Sequence, residues 1–199
     1  MGYLSNAGVF LISTLFGLYE IAILLRLLMQ VVRADFYNPV SQFVVKITNP
    51  PLRPMRRIIP SVAGIDIASL VLLLLVVMLE LFLLSVVSGK PLPYLPGLLA
   101  LTVVTMLKML VYFYLFSIFV LVILSWVNPG SYNPIANLFQ QLTAPLMRPA
   151  RRLIPPMGGL DLSPMLVMIG LWLVIILLVA PLTDWAGHLA YGYKMAVFG

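Results

Sequence analysis

The chain has 199 residues, of which 62% are hydrophobic and only 9% are charged. About one quarter of the residues in a soluble domain are charged, so this composition predicts a membrane protein. The 12 basic residues exceed the 6 acidic ones, but they form no basic-aromatic surface face, and no nucleic acid is expected as a partner.

Four apolar segments are long enough to cross a bilayer, which takes about twenty helical residues. They lie at about residues 7–32, 67–87, 98–127 and 165–182. The first has no basic residue before it and continues well beyond the apolar part of a cleavable signal peptide, so we expect it to remain as a helix. The predicted fold is therefore an all-α membrane protein with four transmembrane helices.

Basic residues gather in two connections between these segments, residues 33–66 and 128–164, which we term the elbows. They hold eight basic residues: Arg33, Lys46, Arg53, Arg56, Arg57, Arg148, Arg151 and Arg152. The opposite side of the membrane is left with Lys90 and Lys194 only. Because positively charged loops stay in the cytoplasm, we expect both elbows to be cytoplasmic and both termini to lie on the other side.

The second half of the chain repeats the first. A shift of 95 residues aligns residues 37–70 with 132–165 without a gap, and 13 of these 34 positions are identical. The identical pairs include Asn38/Asn133, Pro39/Pro134, Arg53/Arg148, Pro54/Pro149, Arg56/Arg151, Arg57/Arg152, Pro60/Pro155, Gly64/Gly159 and Asp66/Asp161. Residues 1–96 and 97–199 thus form two helix–elbow–helix repeats. Two spans in each predict parallel repeats, related by an axis along the membrane normal.

Each elbow is predicted to begin with a short amphipathic helix. Asn38 and Asn133 are good N-cap residues, and the proline after each suits the first helical position. Apolar residues then recur with helical spacing over residues 40–47 and 135–142. We expect these helices to lie in the membrane interface with the apolar stripe in lipid.

The prolines that follow divide each elbow further. Pro50 and Pro51 in the first copy, and Pro145 in the second, are expected to stop the short helices, because a proline ring clashes with the preceding turn. A second short helical turn is then predicted to start at Pro54 or Pro149.

The end of each elbow is predicted from two shared positions. Gly64 and Gly159 suit a tight turn. Asp66 and Asp161 stand where the cap of the next spanning helix is expected, with Ser163 as a competing cap in the second copy.

Three arginines in each elbow are spaced so that they share one helical face. They are Arg53, Arg56 and Arg57 in the first copy and Arg148, Arg151 and Arg152 in the second. One interpretation is that they only keep the loops in the cytoplasm. The other is that their planar guanidinium groups dock anionic lipid headgroups or a partner protein. The sequence leaves both open.

Charged residues also lie within the first two spans. Glu20 and Glu80 are both roughly 18–20 Å from the elbow ends of their helices, at about 1.5 Å per residue, so they could meet. Arg26 is near enough to the inner end of its helix to snorkel. The positions 95 residues later are all apolar: Leu115, Leu121 and Ile175. The two glutamates are either a hydrogen-bonded structural contact or an ion or proton site.

Catalysis is not expected. The chain has no cysteine and one histidine, so metal sites and the common nucleophile triads lack their residues. We predict no catalytic residues, no metal and no cofactor.

The elbow sequences "DFYNPVSQFVVKITNPPLRPMRRIIP" and "NPIANLFQQLTAPLMRPARRLIPPMGGLDLSP" resemble the YggT family of small bacterial inner-membrane proteins and its YlmG relatives. The resemblance covers nearly the whole chain and implies an inner-membrane location. With the orientation expected from the charge bias, both termini are then predicted to be periplasmic. Bacterial members are associated with osmotic tolerance, cation homeostasis and loci near cell-division genes, and plastid relatives with membrane-complex assembly and nucleoid distribution. One departure is that the second copy has Pro156 and Gly158 where the first has Ser61 and Ala63.

Two functions follow as hypotheses. The first is a structural or assembly factor whose elbows recruit anionic lipids or partner proteins, either as a homo-oligomer or with other membrane proteins. The second is a cation conduit, or an accessory subunit of ion transport, that uses Glu20 and Glu80. The regularity of the repeated elbow favours the first.

Overall fold

The apolar runs fold as long helices, since a helix satisfies its backbone hydrogen bonds internally and can therefore cross lipid. The computed structural model describes residues 2–34, 38–62, 64–127, 134–154 and 161–192. Within these ranges there is no strand, only an isolated bridge between Val62 and Ile65. The helices are α1 (Tyr3–Val31), α2 (Pro39–Ile58), α3 (Ile67–Val87), α4 (Leu95–Val127), α5 (Pro134–Leu153), α6 (Ser163–Val174) and α7 (Ala180–Tyr191).

Four helical stretches are long and apolar enough to cross a membrane, in agreement with the prediction. They are α1, α3, α4 and the continuous stretch Ser163–Tyr191 that contains α6 and α7. This last stretch continues past the predicted end near residue 182. A π-helical turn, Ile175–Val179, precedes Pro181 within it. Such local changes in helical hydrogen bonding let a spanning helix accommodate a proline without ending.

The two repeats lie side by side with their elbows at the same end of the bundle. The side-chain amide of Asn38, which precedes α2, donates to the carbonyl of Pro134 at the start of α5 over 2.6 Å. One apolar core also joins the repeats, because Leu138 and Leu142 of α5 belong to the same buried cluster as residues of α1, α2 and α3. The predicted parallel arrangement of the repeats is confirmed.

Each elbow contains one continuous helix, so the predicted stop at the central prolines is wrong. Pro50, Pro51 and Pro54 all lie inside α2, and α5 likewise contains two prolines. Each proline removes one backbone hydrogen bond, which is a local cost. Tertiary packing outweighs it, since Thr48 and Leu52 of the same helix are fully buried against the rest of the bundle.

The ends of the first elbow follow the sequence reading. Asn38 accepts a hydrogen bond from the backbone N–H of Val40 over 2.9 Å, as an N-cap residue does. Gly64 has a φ of 82°, a left-handed conformation that favours glycine. The equivalents Asn133, Pro155 and Gly159 lie outside the described residues.

The apolar stripe of the elbow helices is divided between protein and surroundings. Val44 and Leu138 are buried in the core shared by the two repeats. Phe43 is 62% exposed and Ile135 is 45% exposed. Part of the stripe that was expected in lipid is therefore used to attach the elbows to the bundle.

The second repeat is closed at its other end by a close approach of α4 and α7. The backbone N–H of Tyr94 donates to the carbonyl of Ala190 over 3.0 Å. A Cβ atom added to Gly97 would lie 2.2 Å from the Cα of Ala190, so only glycine fits at this crossing.

Candidate functional sites in the elbows and the membrane interior

An ion pair ties the end of the first elbow helix to the start of the next span. The guanidinium of Arg56 donates to the carboxylate of Asp66 through Nε over 3.1 Å and also through Nη2. The hydroxyl of Ser69 donates to the same carboxylate oxygen. Asp66 is buried, whereas the Arg56 side chain is 40% exposed. Asp66 stands at the predicted cap position before α3, but its side chain makes no capping hydrogen bond.

The second repeat forms the same ion pair in a more open setting. Nε of Arg151 donates to the carboxylate of Asp161 over 3.0 Å. The other carboxylate oxygen accepts from the backbone N–H of Ser163 over 2.9 Å. The side chains of Arg151 and Asp161 are 56% and 30% exposed. Asp161 thus binds the first residue of α6, and the Ser163 hydroxyl donates instead to the carbonyl of Ile154.

These contacts set the protonation of both aspartates. Burial raises the pKa of Asp66, but hydrogen bonds from Arg56 and Ser69 outweigh it and hold the pKa below its ordinary value. Burial also raises the pKa of Asp161, but hydrogen bonds from Ser163 and Arg151 outweigh it and hold this pKa below its ordinary value. Both carboxylates therefore remain charged, and the ion pairs remain intact, at neutral pH.

The three arginines of each elbow consequently have different surroundings. Arg56 and Arg151 are held in the ion pairs. The other four are all exposed: Arg53, Arg57, Arg148 and Arg152. In the part of the chain that the structure describes, these four form no hydrogen bond or ion pair with another side chain.

Glu20 and Glu80 meet inside the first repeat, where α1 packs against α3. Glu20 is 2% exposed and Glu80 is 9% exposed, and their carboxyl groups are close enough to interact. Oε1 of Glu20 has no hydrogen-bond partner among the described residues. Two carboxyl groups so close together in an apolar interior disfavour a pair of negative charges.

The second repeat replaces this polar contact with an apolar one. Leu115 and Ile175, the positions equivalent to Glu20 and Glu80, are both buried in one hydrophobic cluster between α4 and the last span. The equivalent helices of the second repeat thus meet through apolar side chains at these positions.

Arg26 lies near the elbow end of α1 and is also buried, with 5% exposure. Its Nη1 donates to the hydroxyl of Thr48 over 2.7 Å and to the carbonyl of Val45 over 3.2 Å. Both acceptors belong to α2, so Arg26 holds the elbow helix against the first span. The sequence suggested that Arg26 snorkels to the surface, and this prediction is wrong. The two acceptors retain its guanidinium inside the protein.

Two of these relationships were missed from the sequence. The spacing of ten residues between Arg56 and Asp66 recurs between Arg151 and Asp161, and this shared spacing was a usable signal. The contact of Arg26 with Thr48 joins different helices, and no local pattern indicates it. No group of His, Cys, Asp or Glu side chains suited to a metal ion occurs among the residues described.

The fold and these elbows define a helical membrane protein with four candidate spans, built from two tandem repeats. The CCB3/YggT family pattern matches the chain twice, over residues 5–87 and 100–182. The two matches are offset by 95 residues, the shift that aligns the elbows (100 − 5 = 95). The chain belongs to the CCB3/YggT family.

Relatives of similar length occur in several bacteria. An uncharacterized protein of Pseudomonas aeruginosa is 42% identical over 92% of this chain and 94% of its own length. The uncharacterized protein YggT of Escherichia coli is 39% identical over 85% of this chain and 87% of its own. A Vibrio alginolyticus protein, encoded in the proC 3′ region, is 41% identical over 83% of this chain and 90% of its own. No solved structure matches the chain.

Proposed function

We propose that the chain is a non-enzymatic structural protein of the bacterial inner membrane whose two elbow helices dock anionic phospholipid headgroups at the cytoplasmic face. The family resemblance links such a role to osmotic tolerance and to envelope or division processes. The repeats are further proposed to serve assembly with other membrane proteins or with copies of the same chain. Lipid docking is the part that the geometry supports best.

One observation carries this proposal: the arginines of each elbow divide into one that is paired and two that are not. Arg56 and Arg151 neutralise aspartates and fix the ends of the elbow helices. The remaining two arginines of each helix are exposed and have no partner within the described ranges. A guanidinium group binds phosphate oxygens through two parallel hydrogen bonds, so these four residues match anionic headgroups in charge and in geometry.

The direct test replaces the four exposed arginines, Arg53, Arg57, Arg148 and Arg152, by lysine. Lysine keeps the charge and the positive-inside bias but loses the bidentate fork. We expect the preference for phosphatidylglycerol over phosphatidylcholine to fall by about tenfold, measured by native mass spectrometry during lipid titration in detergent. The melting temperature should stay unchanged.

The matched control is the double variant Arg56→Lys with Arg151→Lys. These changes weaken the ion pairs with the aspartates, so they should lower the melting temperature and leave the lipid preference in place. An unaltered preference in the four-lysine variant, or no preference in the parent protein, would disprove lipid docking by the exposed arginines.

The cytoplasmic location of the elbows is part of the same proposal. The charge bias supports it, because the elbows hold most of the basic residues. Single cysteines can report it cleanly, since the chain has none of its own. Gln42→Cys should react with an impermeant maleimide only from the cytoplasm and Leu92→Cys only from the periplasm. The reverse labelling would overturn the orientation.

A second candidate is cation movement, supported by the meeting of Glu20 and Glu80 in the interior. Glu20 Oε1 is buried without a recorded hydrogen-bond donor, which is costly in an apolar surrounding and typical of intramembrane functional sites. Replacing both glutamates by glutamine preserves shape and deletes the charge. If the pair moves cations, this variant should lose cation flux in proteoliposomes while inserting normally, and unaltered flux would exclude the pair.

A further inference from the structure

An open cavity with several charged and polar side chains in its lining lies where α1, α2 and the start of α3 converge in the first repeat. It has a volume of about 440 Å³. Its lining includes six residues: Arg26, Gln30, Arg56, Ile59, Ser61 and Asp66. The cavity is separate from the exposed arginines on which the proposed function depends.

The central feature of this cavity is a buried cation that forms no ion pair within the described ranges. Arg26 is 5% exposed, and its two recorded acceptors, Thr48 Oγ1 and the carbonyl of Val45, are both neutral. A guanidinium has five N–H donors, so most of them remain available on the side of the cavity. Among the described residues no carboxylate forms an ion pair with Arg26. A charge buried in this way is costly unless an anion neutralises it.

The acidic residue of the cavity, Asp66, attracts Arg26 but forms its ion pair with another arginine. Asp66 already accepts hydrogen bonds from Arg56 and from the hydroxyl of Ser69. The two arginines and one aspartate of the lining leave one net positive charge. The other polar side chains are Gln30 and Ser61, which are neutral donors or acceptors. The cavity is therefore matched to a group that carries one negative charge and several acceptor oxygens.

We propose that this cavity binds a phosphate group, with Arg26 as its main cationic ligand and Arg56 at its edge. A phosphodiester carries a single negative charge, which neutralises the single net positive charge of the lining. Arg26 is five residues from the end of α1 (31 − 26 = 5), or about 8 Å at about 1.5 Å per residue. That depth is close to the headgroup layer of a bilayer, so a phospholipid is a natural source of the group. A soluble phosphate compound offers the same chemistry.

The second repeat provides an internal comparison. The positions equivalent to Arg26 and Ser61 are Leu121 and Pro156, whereas the ion pair of Arg151 with Asp161 is retained. The ion pair between arginine and aspartate is thus common to both repeats, and the buried arginine is specific to the first. This difference separates a ligand site in the first repeat from the scaffold that the repeats share.

The test uses the full chain in detergent micelles and measures binding by isothermal titration calorimetry. One arm adds short-chain phosphatidylglycerol, and the other adds inorganic phosphate, with sodium chloride matching the ionic strength. In the background of the four-lysine variant, which removes docking by the exposed arginines, we expect one site per chain for at least one of these probes. Adding Arg26→Gln to that background should weaken binding at least about tenfold. Binding of the lipid alone identifies a headgroup as the source, and binding of free phosphate identifies a soluble ligand.

Two further variants keep the result decisive. Arg26→Lys retains the charge, so it should fold even if Arg26→Gln does not, and it should bind more weakly because the planar fork is lost. The four-lysine variant of the exposed arginines should bind at this site like the parent, so failure of surface docking and failure of this site are distinguishable. Undiminished binding in folded Arg26→Gln or Arg26→Lys, or no binding of either probe to the parent, would overturn the proposal.

Discussion

Arg56 and Asp66 form the ion pair that closes the first elbow, and their equivalents in the second repeat form the same pair ten residues apart. The guanidinium comes from the last turn of α2 and the carboxylate from the residue before α3. The chain reverses its direction between α2 and α3. The ion pair therefore fixes the direction in which the chain re-enters the bundle.

The two copies of this pair should differ in strength. Asp66→Asn removes the charge of the buried partner in the Arg56–Asp66 ion pair. It should lower the free energy of unfolding by about 2 kcal/mol. Asp161→Asn acts on a pair whose side chains are 56% and 30% exposed, so we expect a loss below about 1 kcal/mol. Denaturation in detergent micelles measures both. An equal loss at the two sites would show that burial does not determine their contribution.

The same pair predicts a dependence of stability on pH. The folded-state pKa of Asp66 lies below its value in the unfolded chain, which is about 3.9. Its contribution is therefore fully present above about pH 4 and is lost as the pH falls through the lower folded-state pKa. The difference in melting temperature between the parent protein and Asp66→Asn should be constant from neutral to weakly acidic pH and shrink in stronger acid. A difference that grows on acidification would contradict this account.

The Glu20–Glu80 contact should be exchangeable for the apolar pair of the second repeat. The double variant Glu20→Leu with Glu80→Ile reproduces the residues found at 115 and 175, and it should fold and melt at or above the parent temperature. Each single substitution leaves one buried carboxyl without its neighbour and should cost about 1–3 kcal/mol. A double-mutant cycle should thus show strong coupling. Additive losses, with the double variant the least stable, would show that the carboxyl groups do not depend on each other.

The crossing of α4 with α7 should tolerate no side chain at Gly97. In Gly97→Ala the new Cβ would lie 2.2 Å from Ala190 Cα, a backbone atom that cannot rotate away. We expect a loss of about 1–3 kcal/mol or more in the free energy of unfolding. Gly170→Ala is the matched control, because nothing lies within 4 Å of its added Cβ. Equal melting temperatures for the two variants would mean that the helices can separate without cost.

Several features of this protein could be predicted from local patterns in the sequence. Long apolar runs gave four spans, since about twenty apolar residues are needed to cross a bilayer and few other structures use them. The second span was predicted with the bounds Ile67–Val87 that the structure has. The repeat predicted parallel halves, because two spans in each copy return the chain to the side from which it started.

The elbows could be predicted only in part, because their conformation depends on contacts between helices. Pro50 and Pro51 suggested a break, yet burial of Thr48 and Leu52 keeps α2 continuous past them. A local rule counts the hydrogen bond that a proline removes but not the packing that replaces it. The division of the arginines into paired and exposed residues has the same origin.

The interior of the first repeat was decided by tertiary structure as well. Equal depth suggested that Glu20 and Glu80 could meet, but depth does not determine which faces of α1 and α3 are in contact. Packing of those faces brings the two carboxyl groups together and also leaves Arg26 enclosed beside Thr48. Composition and periodicity therefore determine how many helices cross the membrane, while the rotation of each helix against its neighbours determines which charges become partners. That rotation depends on side-chain packing across the whole bundle, which no short stretch of sequence contains.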